Sequence, residues 1–416
     1  MPDRRVRLAL FTASPVYYQV PLYRRIAADP HIDFTAIYAS SGGVRPFDLG
    51  FGQPIQWDVD LLNGYRAVFL ARSGRNPIGD GNFLTFRDFD IVRTIRRGSY
   101  DVLWQFGYNY LSHQLALLTQ LLRGGPVLFR EEQTLLHSRA AWKLAIKRAA
   151  LPLLFSRCFG LYIGTQNYKW LRHYGVPEDR MYFVPYCVDN DTLQKDALRL
   201  SSAKPELLRR YGLTENSGPV ILMVSRLIPK KQPLFLLDAF ARVRAREKCS
   251  LLIVGSGPLE VEIRESVRRN NIPDVVLAGF RNQSEIPTAY ACADVFVLPS
   301  LFSETWGIVV NEAMNFGLPV VASNKVGCSV DLVKHGENGY VFGENAPDDL
   351  CEALLRLVRS PSTRARFGRA SLEIVKSFNY DVASQGVLDA AAQAVGERRW
   401  KEAVGVDSNV TGSGPH

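Results

Sequence analysis

What the chain lacks narrows its class first. No apolar run among its 416 residues approaches the roughly 20 needed to cross a bilayer as a helix. The six cysteines (Cys158, Cys187, Cys249, Cys292, Cys328 and Cys351) form no CxxC pair and no metal-type spacing. A disulfide scaffold and a thiolate metal centre are therefore not expected, and the thiols read as reduced, mostly core residues of a cytoplasmic protein. The opening apolar run, Leu8–Phe11, is too short for a signal-peptide core and reads as a buried first strand. A net charge of +9 fits a nucleic acid, a membrane face or an anionic small molecule equally well, and no nucleic-acid recognition module accompanies it here. No acidic residue occurs between Gln133 and Pro177.

Apolar residues make up 47% and charged residues 22%, a globular balance. The length suits two α/β domains of roughly 180–200 residues each. The first half alternates strand and helix. Val6–Phe11, Phe34–Ala39, Asp101–Gln105, Val127–Arg130, 161–163 and 182–184 read as strands, with helices at Val20–Ala28, Arg87–Arg96 and Leu111–Leu122. Residues 41–85 look irregular. The alternation restarts with Val220–Val224, Ser250–Val254, Val275–Ala278, Val295–Leu298 and Val320–Ala322. Strands apolar throughout imply sheets covered on both faces, hence parallel ones. The expectation is two doubly wound, Rossmann-like domains facing a central cleft, with ligands beyond the carboxyl ends of the strands. The expected divisions are residues 1–189, 190–378, a helix at 379–400 returning to the first domain, and a disordered tail at 401–416.

Three stretches carry chemistry. In the first, a strand ending at Pro299-Ser300 leads through Glu304 and Gly307 into a helix holding Glu312. Free backbone N–H groups at such a helix start suit a diphosphate. Glu304 and Glu312 are too far apart along the chain to form a dyad, but each can accept hydrogen bonds from a separate pair of hydroxyls. In the second, Ser225-Arg226 and Lys230-Lys231 follow a strand. Fixed cations there would stabilise a leaving diphosphate, although a solvated basic loop reads equally well. In the third, Val254-Gly255-Ser256-Gly257-Pro258 lacks the last glycine of a dinucleotide fingerprint and reads better as a tight strand-to-helix turn.

Together with Ala278-Gly279-Phe280-Arg281, Ala293–Ser300 and Gly336-Glu337-Asn338-Gly339-Tyr340, these motifs, in this order, resemble the GT-B fold retaining glycosyltransferases of family 4, the glycosyl transferases group 1. The resemblance is close from Val184 to Phe378 and only topological before that. It implies that Arg226 and Lys231 bind the donor diphosphate and, with Glu304, carry catalysis. Glu304 would face the sugar, the backbone of Trp306, Gly307 and Ile308 would contact sugar and phosphate, Glu312 would hold the ribose, and Phe280-Arg281 would receive the base. It further implies a nucleotide-diphosphate sugar as donor substrate, retention of configuration by a front-face route, no cofactor and no metal. The acceptor would be a carbohydrate or lipid-linked molecule.

The first half departs from the family. Thr12-Ala13-Ser14-Pro15 stands where a glycine-rich loop is common. A family histidine near the sugar has no clear match. Glu131, Glu132 or neither replaces it, with His137 further along, and Arg130-Glu131-Glu132 reads equally as a strand-end charge cluster. Arg130, Glu131, Gln105 and Tyr108 are the acceptor-side candidates. Arg139, Lys143 and Lys147 recur every fourth residue, so residues 139–157 read as a basic helix facing either solvent or an anionic membrane surface on the inner face. Rival readings are a non-catalytic nucleotide-sugar-binding partner of another transferase, or a nucleotide-sugar epimerase. A phosphorylase would need a pyridoxal lysine, for which no motif is present.

Overall fold

The computed structural model describes residues 5–45, 55–75, 82–136, 141–302 and 304–396, with 400 and 403 beyond; of 141–146 and 150 it describes the backbone only. The first sheet holds β1 (Val6–Thr12), β2 (Ile32–Tyr38), β3 (Arg66–Phe69), β4 (Val102–Phe106), β5 (Val127–Arg130), β6 (Cys158–Tyr162) and β7 (Met181–Phe183). Their order is β3-β2-β1-β4-β5-β6-β7, with every pairing parallel. The second sheet holds β8 (Val220–Val224), β9 (Ser250–Val254), β10 (Val275–Gly279), β11 (Val295–Leu298), β12 (Val320–Ser323) and β13 (Gly339–Phe342). Its order is β10-β9-β8-β11-β12-β13, again parallel throughout.

The central strands are buried on both faces because helices cover both sides, and each sheet has one apolar core per face. All six cysteines are buried and unpaired. Two edge strands differ from the sequence reading: β3 runs inside the stretch read as irregular, and β13 has no counterpart among the expected strands. Both have a single strand neighbour and a mixed burial pattern, so neither shows an unbroken apolar run. The helix expected at Arg87–Arg96 forms at Asp90–Gly98 instead, because Asp88 turns inward to accept from the Arg72 amide.

Strand order reverses between β1 and β4 in the first sheet, and between β8 and β11 in the second. At such switch points the loops leaving the carboxyl ends part and open a crevice. The helix Tyr380–Val395 lies against the first sheet, with Ala383, Val387 and Ala391 in one core with Leu8 and Trp104. Its first residue, Tyr380, donates to the Tyr18 carbonyl (2.8 Å).

The two halves meet through buried packing and direct hydrogen bonds. Trp306 fits against Gly164, where a β-carbon would stand 2.4 Å from the indole. Its Nε1 donates to Asn311 Oδ1 (2.8 Å), and Asn311 donates to the Tyr186 carbonyl (3.1 Å). The Thr165 amide donates to Asp331 (3.0 Å), and the Ser284 amide to Asp58 (3.1 Å).

Candidate functional site

The loops leaving β8, β9 and β10 continue the ladder beyond the strands. The Ser225 amide donates to Val254 O (3.0 Å), Leu227 to Ser256 O (2.9 Å), and Gly255 to Gly279 O (2.8 Å). Gly255 lies at φ +134°, and a β-carbon there would stand 1.9 Å from the Ser225 carbonyl oxygen. Only glycine fits that approach. Gly257 is held the same way, a β-carbon there standing 2.6 Å from the Leu227 carbonyl oxygen, so the two glycines are a packing device that sets Arg226 beside the β9 loop.

Leu301 donates to Lys230 O (2.9 Å) and ties the loop after β11 to the same place. There Lys231 donates to Glu304 Oε2, and Ser300 Oγ donates to the same oxygen (3.1 Å). The side chains of Lys231 and Glu304 are each 12% exposed. Burial pushes the Glu304 carboxyl up. The charge and hydrogen bond of Lys231, helped by Lys230 and Ser300, outweigh it and hold the group below its ordinary range. Lys230 is pulled below the usual lysine value by burial and by its cationic neighbours Lys231 and Arg226, against the pull of Glu304. Lys231 and Lys230 thus act on one carboxylate at the β8/β11 switch point, with Arg226 close enough to Lys230 to lower its pKa, which leaves net positive charge.

Glu304 leads into the helix Ile308–Asn315 through Gly307, at φ +101°. A β-carbon at Gly307 would press to 2.8 Å from Leu298 Cδ2, so the chain passes this point only as glycine. Glu312, in the second turn, is buried. It accepts from the Tyr290 hydroxyl (2.7 Å) and is also hydrogen-bonded by Tyr17, which comes from the loop after β1. Burial raises its pKa to about 7 against the opposing pull of those two hydroxyls.

Arg226, Lys231, Phe280 and Arg281 line one cleft of about 660 Å³, closed from the other domain by Tyr17 and Trp57. Glu312 lines an adjoining cavity with Tyr17 and Gln283. The structure therefore brings the cations, Phe280-Arg281 and, through Tyr17, Glu312 together. The Trp306 side chain is not part of this cleft; it is buried between the halves, against Tyr186 and Phe378.

A second cavity opens at the β1/β4 switch point, lined by Ser14, Tyr18, Tyr108, His113, Arg130 and Glu132 among others. Arg130 is buried, 5.0 Å from the ring centroids of both Phe106 and Tyr186, and donates to Val184 O (3.0 Å). Glu132 accepts from the Tyr186 hydroxyl. Its pKa is raised by burial and partly restored by Arg130. Glu131 caps the Glu132 amide (3.1 Å), and its carbonyl accepts from Asn167 (2.5 Å). His113 is driven by burial to a pKa of about 3 and is neutral near pH 7.

Gln105 is a correction to the sequence reading. It is fully buried, and its amide donates to Gly107 O (3.0 Å) and His113 O (2.7 Å). It clamps the strand end and does not line the cavity. Tyr108 lines the cavity with its ring sunk among Phe129, Phe155 and Trp170. His137 and Arg139 lie outside the described residues, as do the side chains of Trp142, Lys143 and Ile146. Lys147 turns inward, 5.2 Å from the Tyr108 ring, rather than outward. Among the described residues no helix is long and apolar enough to cross a membrane. Tyr17, Trp57, Tyr186, Tyr290, Ser300 and His113 were not legible as site residues. For Tyr17 the available signal was its place just beyond the first strand.

The family described as Glycosyl transferases group 1 matches residues 206–373. The chain is 29% identical over 222 residues to a GDP-mannose-dependent alpha-(1-6)-phosphatidylinositol monomannoside mannosyltransferase of Mycobacterium tuberculosis, covering 51% of this chain and 56% of that protein. It is 28% identical over 193 residues to an alpha-D-kanosaminyltransferase of Streptomyces kanamyceticus, covering 46% and 48%. The chain thus spans about half the length of these curated relatives. A glycosyltransferase structure from Rickettsia africae superposes with a TM-score of 0.71 at 14% identity, covering 94% of this chain and 99% of that one. Anabaena Alr3699/HepE in complex with UDP and glucose superposes at 0.68 and 16% identity, covering 94% and 100%. These likenesses show the fold, which is the GT-B arrangement of two facing parallel sheets.

Proposed function

We propose that this chain is a retaining family 4 glycosyltransferase that moves a sugar from a nucleotide diphosphate donor to a carbohydrate or lipid-linked acceptor. The carrying observation is the cluster of Arg226, Lys230 and Lys231 at the second switch point, where Lys231 pairs with Glu304 beside a cleft lined by Arg226, Lys231, Phe280 and Arg281. In this reading the diphosphate takes Lys231 from Glu304. That exchange frees the carboxylate to accept from sugar hydroxyls, so the ion pair seen here is the resting form of the site. Arg226 and Lys231 hold the phosphate oxygens, and the backbone at 306–308, opening the helix, adds N–H donors. The base lies at Phe280-Arg281 and the ribose at Glu312, which must then release Tyr17.

As the bond from sugar C1 to the phosphate oxygen breaks, the electron pair leaves with the diphosphate. The fixed cations stabilise that growing charge. The acceptor hydroxyl forms its bond to C1 on the same face, and its proton passes to the departing phosphate oxygen. The acceptor enters from the first domain's cavity, where Arg130, Glu131 and Glu132 stand, with Glu132 nearer the cleft through its contact with Tyr186. The basic helix Ala141–Phe155, with Arg148 exposed, is read as facing an anionic membrane surface.

A thermal-shift screen of UDP-, GDP- and ADP-sugars tests the donor side. Stabilisation by one nucleotide class is expected, weakened in Glu312→Ala. Slow release of free sugar from that donor separates a catalyst from a binding partner. Equal indifference to all three classes would refute the reading.

A further inference from the structure

The helix Leu111–Leu122 buries four polar side chains beside Ala116 and Leu117 and leaves leucines outside. Ser112, His113, Thr119 and Gln120 are buried, while Leu118 is 41% and Leu122 85% exposed. Leu111, Leu115, Leu118 and Leu122 follow at spacings of four, three and four, so they form one stripe, with Leu118 and Leu122 exposed on the side away from the sheet and Leu115 at its margin packed partly on the core. Of the inward polar side chains, Ser112 Oγ accepts from the Asp88 amide (2.8 Å) and Gln120 Nε2 donates to the Tyr100 carbonyl (3.4 Å), while His113 Nδ1 and Gln120 Oε1 are buried without a hydrogen-bond partner among the described residues. The helix carries no charged residue. A soluble surface helix keeps its outer face polar, so these exposed leucines call for an apolar partner.

Its surroundings say which partner. The Leu111 amide donates to Phe83 O (2.9 Å), which places the exposed loop residues Phe83 and Leu84 at the start of the stripe. The neighbouring helix Asp90–Gly98 packs beside it and exposes Arg93, Arg96 and Arg97, with Phe89 66% exposed at its start. Asp88 is buried and accepts from the Arg72 amide, and the half-buried Asp90 accepts from the Ala71 amide, so both acids of this face are engaged by backbone N–H groups. An apolar stripe bordered by arginines, with its acids withdrawn, matches an anionic leaflet: leucines enter the acyl boundary and guanidiniums remain among the headgroups.

We infer that the outer face of Leu111–Leu122, with the loop 83–89 and the arginines of Asp90–Gly98, docks this protein on an anionic membrane surface. This extends the membrane reading to a different surface from Ala141–Phe155 and does not depend on the sugar chemistry. The inner side of the same helix lends His113 to the first domain's cavity, so a docked molecule holds that cavity close to the lipid.

The test is co-sedimentation of the full chain with phosphatidylcholine vesicles, with and without about 30 mol% phosphatidylglycerol. The parent should pellet with the anionic vesicles only. Binding should weaken with salt without vanishing, because the apolar part is not screened. Leu118→Gln/Leu122→Gln should lower partitioning at least about tenfold at unchanged melting temperature. Arg93→Glu/Arg97→Glu should abolish binding at low salt, each arginine near the leaflet being worth roughly fivefold. A leucine pair that pellets like the parent overturns the proposal. If Arg148→Glu alone then removes binding, attachment belongs to Ala141–Phe155. A parent dimer in sedimentation velocity that the leucine pair dissociates also overturns it, because a second copy then covers the stripe.

Discussion

Replacing Lys231 with methionine tests the centre of the proposed site, because fold and chemistry respond by different amounts. Lys231 and Glu304 are both largely buried, and removing one partner of a buried pair costs about 3–5 kcal/mol when the other is left uncompensated. Here Glu304 keeps the Ser300 hydroxyl and the nearby charge of Lys230, so the cost should fall to about 2 kcal/mol. At about 2–4 °C per kcal/mol for a domain this size, the melting temperature should drop by about 4–8 °C. Adding Glu304→Gln should recover most of that loss, since no unpaired carboxylate remains. Donor turnover should fall much further, by about 10²–10³, because Lys231 is assigned to the developing diphosphate charge. Calorimetry of the parent, both single variants and the double variant measures the first effect, and donor hydrolysis measures the second. A double variant no more stable than Lys231→Met would show that the pair is not coupled. Parent-like turnover in Lys231→Met would show that the diphosphate lies elsewhere.

Other perturbations have similarly directional outcomes. The Glu312 pKa of about 7 lies above its ordinary 4.5, so its share of ligand-free stability, about 3 kcal/mol, is present in full below pH 4.5 and is lost as pH rises through 7. Donor binding should run the other way, because ribose hydroxyls donate best to the ionised carboxylate. Affinity measured by calorimetry should fall below pH 7, and Glu312→Gln should flatten that profile. Tyr17→Phe removes a hydrogen bond that lowers the Glu312 pKa, so the midpoint should move to higher pH. Gly255→Ala should cost more than about 3 kcal/mol in chemical denaturation, because a methyl group cannot share space with the Ser225 carbonyl.

Much of the fold was legible because covered parallel strands announce themselves as short apolar runs. Val220–Val224, Ser250–Val254 and Val295–Leu298 form at the boundaries the sequence suggests. Arg66–Phe69 and Gly339–Phe342 escaped because an edge strand need not be apolar on both faces. The helix Leu111–Leu122 was found by its length and its glycine stop, but its orientation was not. Its buried side mixes Ala116 and Leu117 with Ser112, His113, Thr119 and Gln120, so composition alone does not mark the face that packs on the sheet.

The candidate site divides along the same line. On the second sheet each loop carries its own signal: a cation pair after β8, glycines after β9, and carboxylates flanking Gly307 after β11. These are local in the chain, and backbone hydrogen bonds between adjacent strand ends bring them together. The first domain contributes through topology instead. Tyr17 follows β1, Trp57 precedes β3, and Tyr186 follows β7, so no window of sequence contains any two of them. What unites them is the closure of one domain on the other, where Tyr17 reaches Glu312 and Tyr186 stacks toward Trp306. If the proposed ribose contact at Glu312 is right, a donor and Tyr17 compete for one carboxylate. Nucleotide binding is then coupled to how the halves meet, and the aromatic residues that sequence reading passed over are the ones that carry that coupling.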